Sequence, residues 1–173
     1  QLDRFENLLT DLLEISRYDA GAAVLDLDTV DLAALVRRAV ESARPLAERR
    51  GTHLVLVTGQ DPCPVECDPR RVDRILRNLL DNAVEHGEGL PIDIAVAGDG
   101  VAVAVTVRDR GVGLADTDLI RVFDRLWRAD PARARQTGGT GLGLAIALED
   151  TRLHAGWLEA WGAPGEGACF RLT

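Results

Sequence analysis

Methionine is absent from the 173 residues, cysteine occurs three times and tyrosine once. No stretch reaches the ~18 uninterrupted apolar residues of a membrane-spanning helix, and no secretory leader is visible. Cys63, Cys67 and Cys169 are odd in number and lack a regular spacing, which excludes a disulfide scaffold and fits a reducing compartment. Cys63 and Cys67 have no companion Cys or His pair at ligand spacing, so packing accounts for them better than zinc. Basic residues are outnumbered 20 to 28, and a net charge of −8 gives no general reason to bind nucleic acid or an anionic membrane. With no methionine and an opening that lies inside an apparent helix, a segment of something longer is expected.

What is present is an apolar fraction of 46%, enough for a genuine core. Leu2, Phe5, Leu9, Leu12 and Ser16 recur at helical spacing, and Leu8, Leu13 and Ile15 widen the stripe beyond that of a lone surface helix. A partner helix outside the chain would cover it; packing on its own domain is the other reading. Asp19-Ala20-Gly21 breaks this helix. Asp31 reads as the N-cap of a helix to about Arg50, closed by Gly51. Strands are expected at 53–58 and 64–67, and a helix opens at Asp68-Pro69 and runs to His86. Residues 92–97 and 101–108 predict a hairpin, followed by a Gly-, Asp- and Arg-rich region over 111–140. A helix at 141–154 and strands at 157–161 and 167–172 complete the chain. Helices mixed with antiparallel strands predict an α+β sandwich, with the helices on one sheet face.

Three segments carry chemistry. On helix 69–86, Val72, Ile75, Leu76, Leu79, Leu80 and Ala83 form one apolar stripe, with Asn78 and Asn82 together at its edge. Asparagine is a poor helix former. Its neutral amide oxygen can ligate Mg²⁺ beside a polyphosphate, although the pair alone also describes an ordinary polar helix edge. The odd-numbered valines of 101–107 share a strand face, and Asp109 has the same parity, so its carboxylate points inward and needs a donor. Gly111 and Gly113 follow, where backbone can approach a ligand or form a turn. Finally, Gly138-Gly139-Thr140-Gly141-Leu142-Gly143-Leu144 leads into an apolar helix, offering backbone N–H groups and a positive dipole end to an anion. It lacks the Gly-Lys-Ser/Thr ending of a P-loop. Between the glycine clusters, five arginines lie over 121–135, and Phe123 and Trp127 stand one helical turn apart, as anchors for a lid over about 114–137.

In order and spacing these segments resemble the histidine-kinase ATPase family, which shares its fold with gyrase, Hsp90 and MutL. Gly165-Glu166-Gly167 matches its last glycine box, and the stretch Ala147 to Trp161, with Leu153-His154-Ala155-Gly156-Trp157, resembles an actinobacterial subgroup of sensor kinases. The resemblance implies a two-layer α/β sandwich over residues 31–173 that binds ATP. Residues 1–20 would be the second helix of a dimerisation and phosphotransfer hairpin, present only in part, and 21–30 a linker. It further implies Asn82 as the main Mg²⁺ ligand with Asn78 assisting, both in the catalytic machinery, and Asp109 on the adenine amino group. Gly111 and Gly113 would line the base pocket. Phe123 would belong to the lid. Gly139, Thr140, Gly141, Leu142 and Gly143 would sit at the phosphates, with Arg128 as a further cation.

The implied setting is the cytoplasmic side of a membrane-bound sensor, homodimeric at full length, that passes phosphate from a hairpin histidine to a response regulator. Two departures concern the site: Glu85 and His86 stand where the family commonly has a basic residue and an aromatic, so Arg71, Arg128 or another lid arginine is expected to substitute, and Leu126 stands where the family's lid often carries a second Phe. The family's phosphoacceptor motif, His followed by an acidic residue, is also missing, since His53, His86 and His154 precede Leu54, Gly87 and Ala155. The alternatives are an ATP hydrolase of the same fold, in which a general-base glutamate would stand at Asn78, and a nucleotide-sensing or interaction module without catalysis.

Overall fold

The computed structural model describes residues 2–59, 62–128 and 140–173. The elements, in order, are α1 (Leu2–Asp19), β1 (Asp28–Asp31), α2 (Leu32–Arg49), β2 (Leu54–Thr58), β3 (Pro64–Cys67), α3 (Pro69–His86), β4 (Ile92–Gly98), β5 (Val103–Arg108), α4 (Asp116–Leu119), α5 (Gly143–Leu153), β6 (Leu158–Gly162) and β7 (Ala168–Leu172).

The chain is an α+β sandwich. Five strands form one sheet in the order β2-β4-β5-β7-β6. It is mixed rather than antiparallel: β2 pairs with β4 in parallel, through the long crossover that carries β3 and α3. Every other pair in the sheet is antiparallel. A separate ribbon joins β1 to β3. The strand Asp28–Asp31 escapes prediction because its one apolar residue, Val30, carries no alternation for a reader to detect.

Helices α2 and α3 both begin as their capping residues dictate. Asp31 accepts a hydrogen bond from the Ala33 N–H at 3.1 Å, and Asp68 accepts from Arg70 and Arg71. These bonds satisfy donors that a helix start leaves unpaired. All six residues of the predicted α3 stripe are buried against the sheet, as are Leu35, Val36, Ala39 and Val40 of α2. Burying each large side chain contributes roughly 2 kcal/mol. The odd-residue face of β5 is inward at Val105 and Val107, but Val101 lies outside the strand, 95% exposed. Asp99 explains this: its carboxylate accepts from the Val101 and Ala102 N–H groups and bends the chain there.

Helix α1 has two faces. Ile15 and Leu8 pack on Leu142 and Ile146, whereas Phe5, Leu9, Leu12 and Leu13 are exposed. Among the described residues, no helix is long and apolar enough to cross a membrane.

Candidate functional site

A cleft of about 1480 Å³ runs along α3, from the linker beside Val24 and Asp26 to the ends of β5 and β7. Asn78, Asn82, Asp109, Gly113, Arg128, Thr140, Gly141 and Gly143 all line it. Residues separated by up to 65 positions thus meet in one place.

Asp109 is the polar centre of the inner end, only 1% exposed. Its Oδ1 accepts the Gly111 N–H at 2.9 Å and the Ala168 N–H at 3.3 Å. Its Oδ2 is the one buried side-chain polar atom among the described residues without a hydrogen-bond partner. Burial pushes this carboxyl above the usual Asp range, against the bonds from Gly111 and Ala168. Val112, Leu114, Val122, Ala168 and Phe170 supply apolar walls around it. The combination of an inward-facing acceptor and apolar walls suits a flat heterocycle that carries an N–H donor.

Gly111, Phe123 and Leu142 do not line the cleft. Gly111 is pressed on the end of α3, where a Cβ would run into the His86 carbonyl oxygen and approach the Gly87 Cα at 2.7 Å. Gly87 itself stands 3.6 Å, at its own would-be Cβ, from the Asp109 Cβ. The two glycines let the turn after β5 lie against α3, which brings Asp109 beside His86 and Asn82. Gly111→Ala is therefore expected to destabilise the fold by about 3 kcal/mol, the upper range for overpacking. Urea unfolding checks this; a wild-type midpoint would mean the turn yields freely.

Phe123 packs edge-on against Phe170, with ring centroids 6.2 Å apart, so it and Trp127 fasten segment 114–128 to the core. Leu142 turns its side chain into the α1 contact, and its N–H is taken by the Thr140 hydroxyl at 3.2 Å. Gly143 opens α5 with no side-chain cap, and its would-be Cβ lies 3.1 Å from Asn78 Oδ1. The absence of a side chain at 143 thus seats Asn78 at the N-terminus of α5, where backbone N–H groups favour an anion. Gly139 lies outside the described residues.

The remaining expectations divide as follows. Arg128 reaches Glu85, with Nη2 2.9 Å from Oε1. Arg71 also lines the cleft, and its guanidinium lies 2.9 Å from the carboxylate of Asp150, which also binds Arg74 and the Tyr18 hydroxyl. His86 lines the cleft. His154 is the C-cap of α5, and its ring accepts the Asp68 N–H at Nε2 and faces the Asp150 carbonyl through Nδ1 at 2.7 Å. That pattern assigns the neutral Nδ1–H tautomer. Asp150 and the apolar walls were missed. The walls have no signal beyond strand alternation, and Asp150 reads as one more polar residue on an apolar helix.

Residues 67–173, well over half the chain, match the family described as histidine kinase-, DNA gyrase B- and HSP90-like ATPase. The chain belongs to this ATPase family. Its relatives within the family include the sensor histidine kinase MtrB of Mycobacterium tuberculosis (strain ATCC 25618 / H37Rv), 57% identical over all 173 residues. The MtrB of Mycobacterium leprae (strain TN) is 56% identical over the same span. The chain spans 30 to 31% of the length of these relatives. Among solved structures, full-length ShkA in complex with AMPPNP is 29% identical, with a TM-score of 0.86, over 98% of this chain and 35% of that one. The Acinetobacter baumannii histidine kinase AdeS shares the fold at a TM-score of 0.82 and 21% identity, over 99% of this chain and 78% of its own.

Proposed function

We propose that this chain is the ATP-binding catalytic part of a sensor histidine kinase, which presents Mg·ATP to a histidine supplied from outside its 173 residues. The observation that carries this reading is Asp109, a buried carboxylate whose Oδ1 is fixed by two backbone N–H groups and whose Oδ2 has no partner among the described residues. The exocyclic amino group of adenine is the donor that this acceptor fits. The AMPPNP complex of ShkA, similar over nearly the whole chain, agrees with an adenine nucleotide as ligand.

Asn82 and Asn78 would hold Mg²⁺. They are neutral oxygen donors one turn apart on the cleft wall, which suits an ion that keeps most of its water. No cluster of three or more His, Cys, Asp or Glu capable of holding a metal occurs among the described residues. When bound, the ion neutralises phosphate charge. The N-terminus of α5, Thr140 and Arg128 would orient the phosphates. In the reaction, an imidazole nitrogen attacks the γ-phosphorus, the bond to the β–γ bridging oxygen breaks and ADP leaves. The chain's contribution is position and charge. Asn78 has no basic lone pair with which to activate water, which favours transfer over hydrolysis.

In this reading residues 1–20 belong to the hairpin that carries the histidine, 21–30 are the linker, and 31–173 form the nucleotide domain. The parent would be a homodimeric, membrane-bound sensor with this part in the cytoplasm, a response regulator as the phosphate acceptor, and no nucleic acid partner. The test adds Mg·[γ-³²P]ATP to this chain with and without a separately made phosphotransfer hairpin. Acid-labile label is expected on the hairpin alone. Calorimetry without nucleotide binding, or label retained on His53, His86 or His154, would overturn the proposal.

A further inference from the structure

We propose that Glu85 is a positioning residue that holds the guanidinium of Arg128 over the phosphate end of the cleft. This rests on the nucleotide reading above and adds a role for a carboxylate that would otherwise oppose it. Asn78, Asn82 and Glu85 lie on one stripe of α3, at steps of four and three residues, and all three line the cleft. An acid on that stripe faces the same volume as the two Asn amides. Left alone it would repel a polyphosphate.

It is not alone. Arg128 Nη2 is 2.9 Å from Glu85 Oε1, and the two side chains are 21% and 22% exposed. Arg128 also lines the cleft and directly follows Trp127, which packs on the core. Its backbone is therefore anchored on one side by an indole, and its head is anchored on the other by a carboxylate on a rigid helix. A guanidinium carries five N–H donors in a planar fork and can serve a carboxylate and a second anion together. Asp81, one turn before Glu85, also lines the cleft. Burial holds Asp81 above the usual range, and the Glu85 charge adds to that shift. The cation that works against this shift is Arg77.

Charge cancellation and positioning make opposite predictions for Glu85→Gln, which keeps the shape and removes the charge. If Glu85 only cancelled charge, its loss would leave an unopposed cation, and Mg·ATP would bind more tightly. If it positions Arg128, the guanidinium loses its seat and Mg·ATP binds more weakly, by roughly tenfold, the scale of one charge-assisted hydrogen bond. The experiment is calorimetry of wild type, Glu85→Gln, Arg128→Ala and the double variant, each with Mg·ATP and with adenosine. The expected result is weaker Mg·ATP binding by both single variants, no additional loss in the double variant, and unchanged adenosine binding throughout.

Wild-type or tighter Mg·ATP binding by Glu85→Gln would overturn the proposal. Weaker adenosine binding would overturn it too, because it would reveal a general disturbance of the site. Failure of the wild type to bind Mg·ATP would instead remove the nucleotide reading itself.

Discussion

Asp109→Asn is expected to weaken adenine-nucleotide binding by one to two powers of ten and to leave the fold at least as stable as before. The two effects separate because the two carboxylate oxygens have separate tasks. Oδ1 accepts from the Gly111 and Ala168 N–H groups. In the variant, the amide oxygen must take that position, because an amide nitrogen there would face two donors. The NH₂ group is thereby forced into the place of Oδ2, where it meets the adenine amino group donor to donor. A charge-assisted hydrogen bond is lost and a donor is left facing a donor, about 1.5–3 kcal/mol in all, where 1.4 kcal/mol is tenfold.

The fold does not share this loss. An ionised carboxylate at 1% exposure is itself costly, and Asn removes that charge. Calorimetric titration with Mg·ATP, paired with thermal unfolding of the nucleotide-free chain, checks both halves. Wild-type affinity in the variant would dismiss Asp109 as the adenine acceptor. A pH dependence follows with a defined sign. In the proposed reading the ionised form would be the acceptor, and burial holds the carboxyl above its ordinary value. Affinity should therefore decline, as pH falls, at a higher pH than an exposed Asp would produce.

Asp109 was legible in the sequence because strand parity is strict: Val105, Val107 and Asp109 must share a face, and all three are buried. Helix α3 was legible for a similar reason, since Asp68-Pro69 marks its start and the 3.6-residue period fixes its buried face. The parallel pairing of β2 with β4 was not legible. It depends on where the crossover deposits β4, and no local residue pattern encodes that. Gly111 shows a different limit. Its spacing after Asp109 suggested a ligand contact, but the structure uses it to pack the turn on α3. Glycine marks close approach without saying what approaches. The glycine run before α5 divides in the same way: Gly141 and Gly143 face the cleft, whereas Leu142, among them, is 1% exposed and belongs to the contact with α1.

That contact gives the second large effect. Asp150→Ala is expected to destabilise the chain by about 3 kcal/mol, within the range for removing one partner from a buried ion pair. Asp150 is fully buried and binds three groups from two other helices. Arg71 Nη1 lies at 2.9 Å and Arg74 Nε at 2.8 Å, both from α3, and the Tyr18 hydroxyl of α1 lies at 2.6 Å. Glu14 of α1 adds a second carboxylate to Arg74 at 3.0 Å. Burial works against the Arg74 charge, yet the bond to Asp150 and its charge hold the guanidinium above its ordinary range. Burial and the same carboxylate push the Tyr18 phenol up.

Without Asp150, the guanidinium groups of Arg71 and Arg74, one turn apart on α3, would lie at the α3–α5 interface with only Glu14 and, for Arg71, Asp68 as carboxylate partners among the described residues. Tyr18→Phe separates the two roles of this hub, because it removes the phenol oxygen that bonds Asp150, Arg71 and Arg74 and keeps the bonds of Asp150 to both arginines. It should cost about 1 kcal/mol and speed amide exchange in α1, leaving exchange in α3 and α5 as before. Thr140 ties the same helix to the cleft, since its hydroxyl donates to Asp11 of α1 at 3.0 Å. Loosening α1 by Tyr18→Phe should therefore also be felt at Thr140. Urea unfolding and residue-resolved hydrogen exchange measure these quantities. Equal protection of α1 in Tyr18→Phe and wild type would show that the other contacts of the helix, among them those of Leu8, Asp11, Glu14 and Ile15, hold it in place without the phenol.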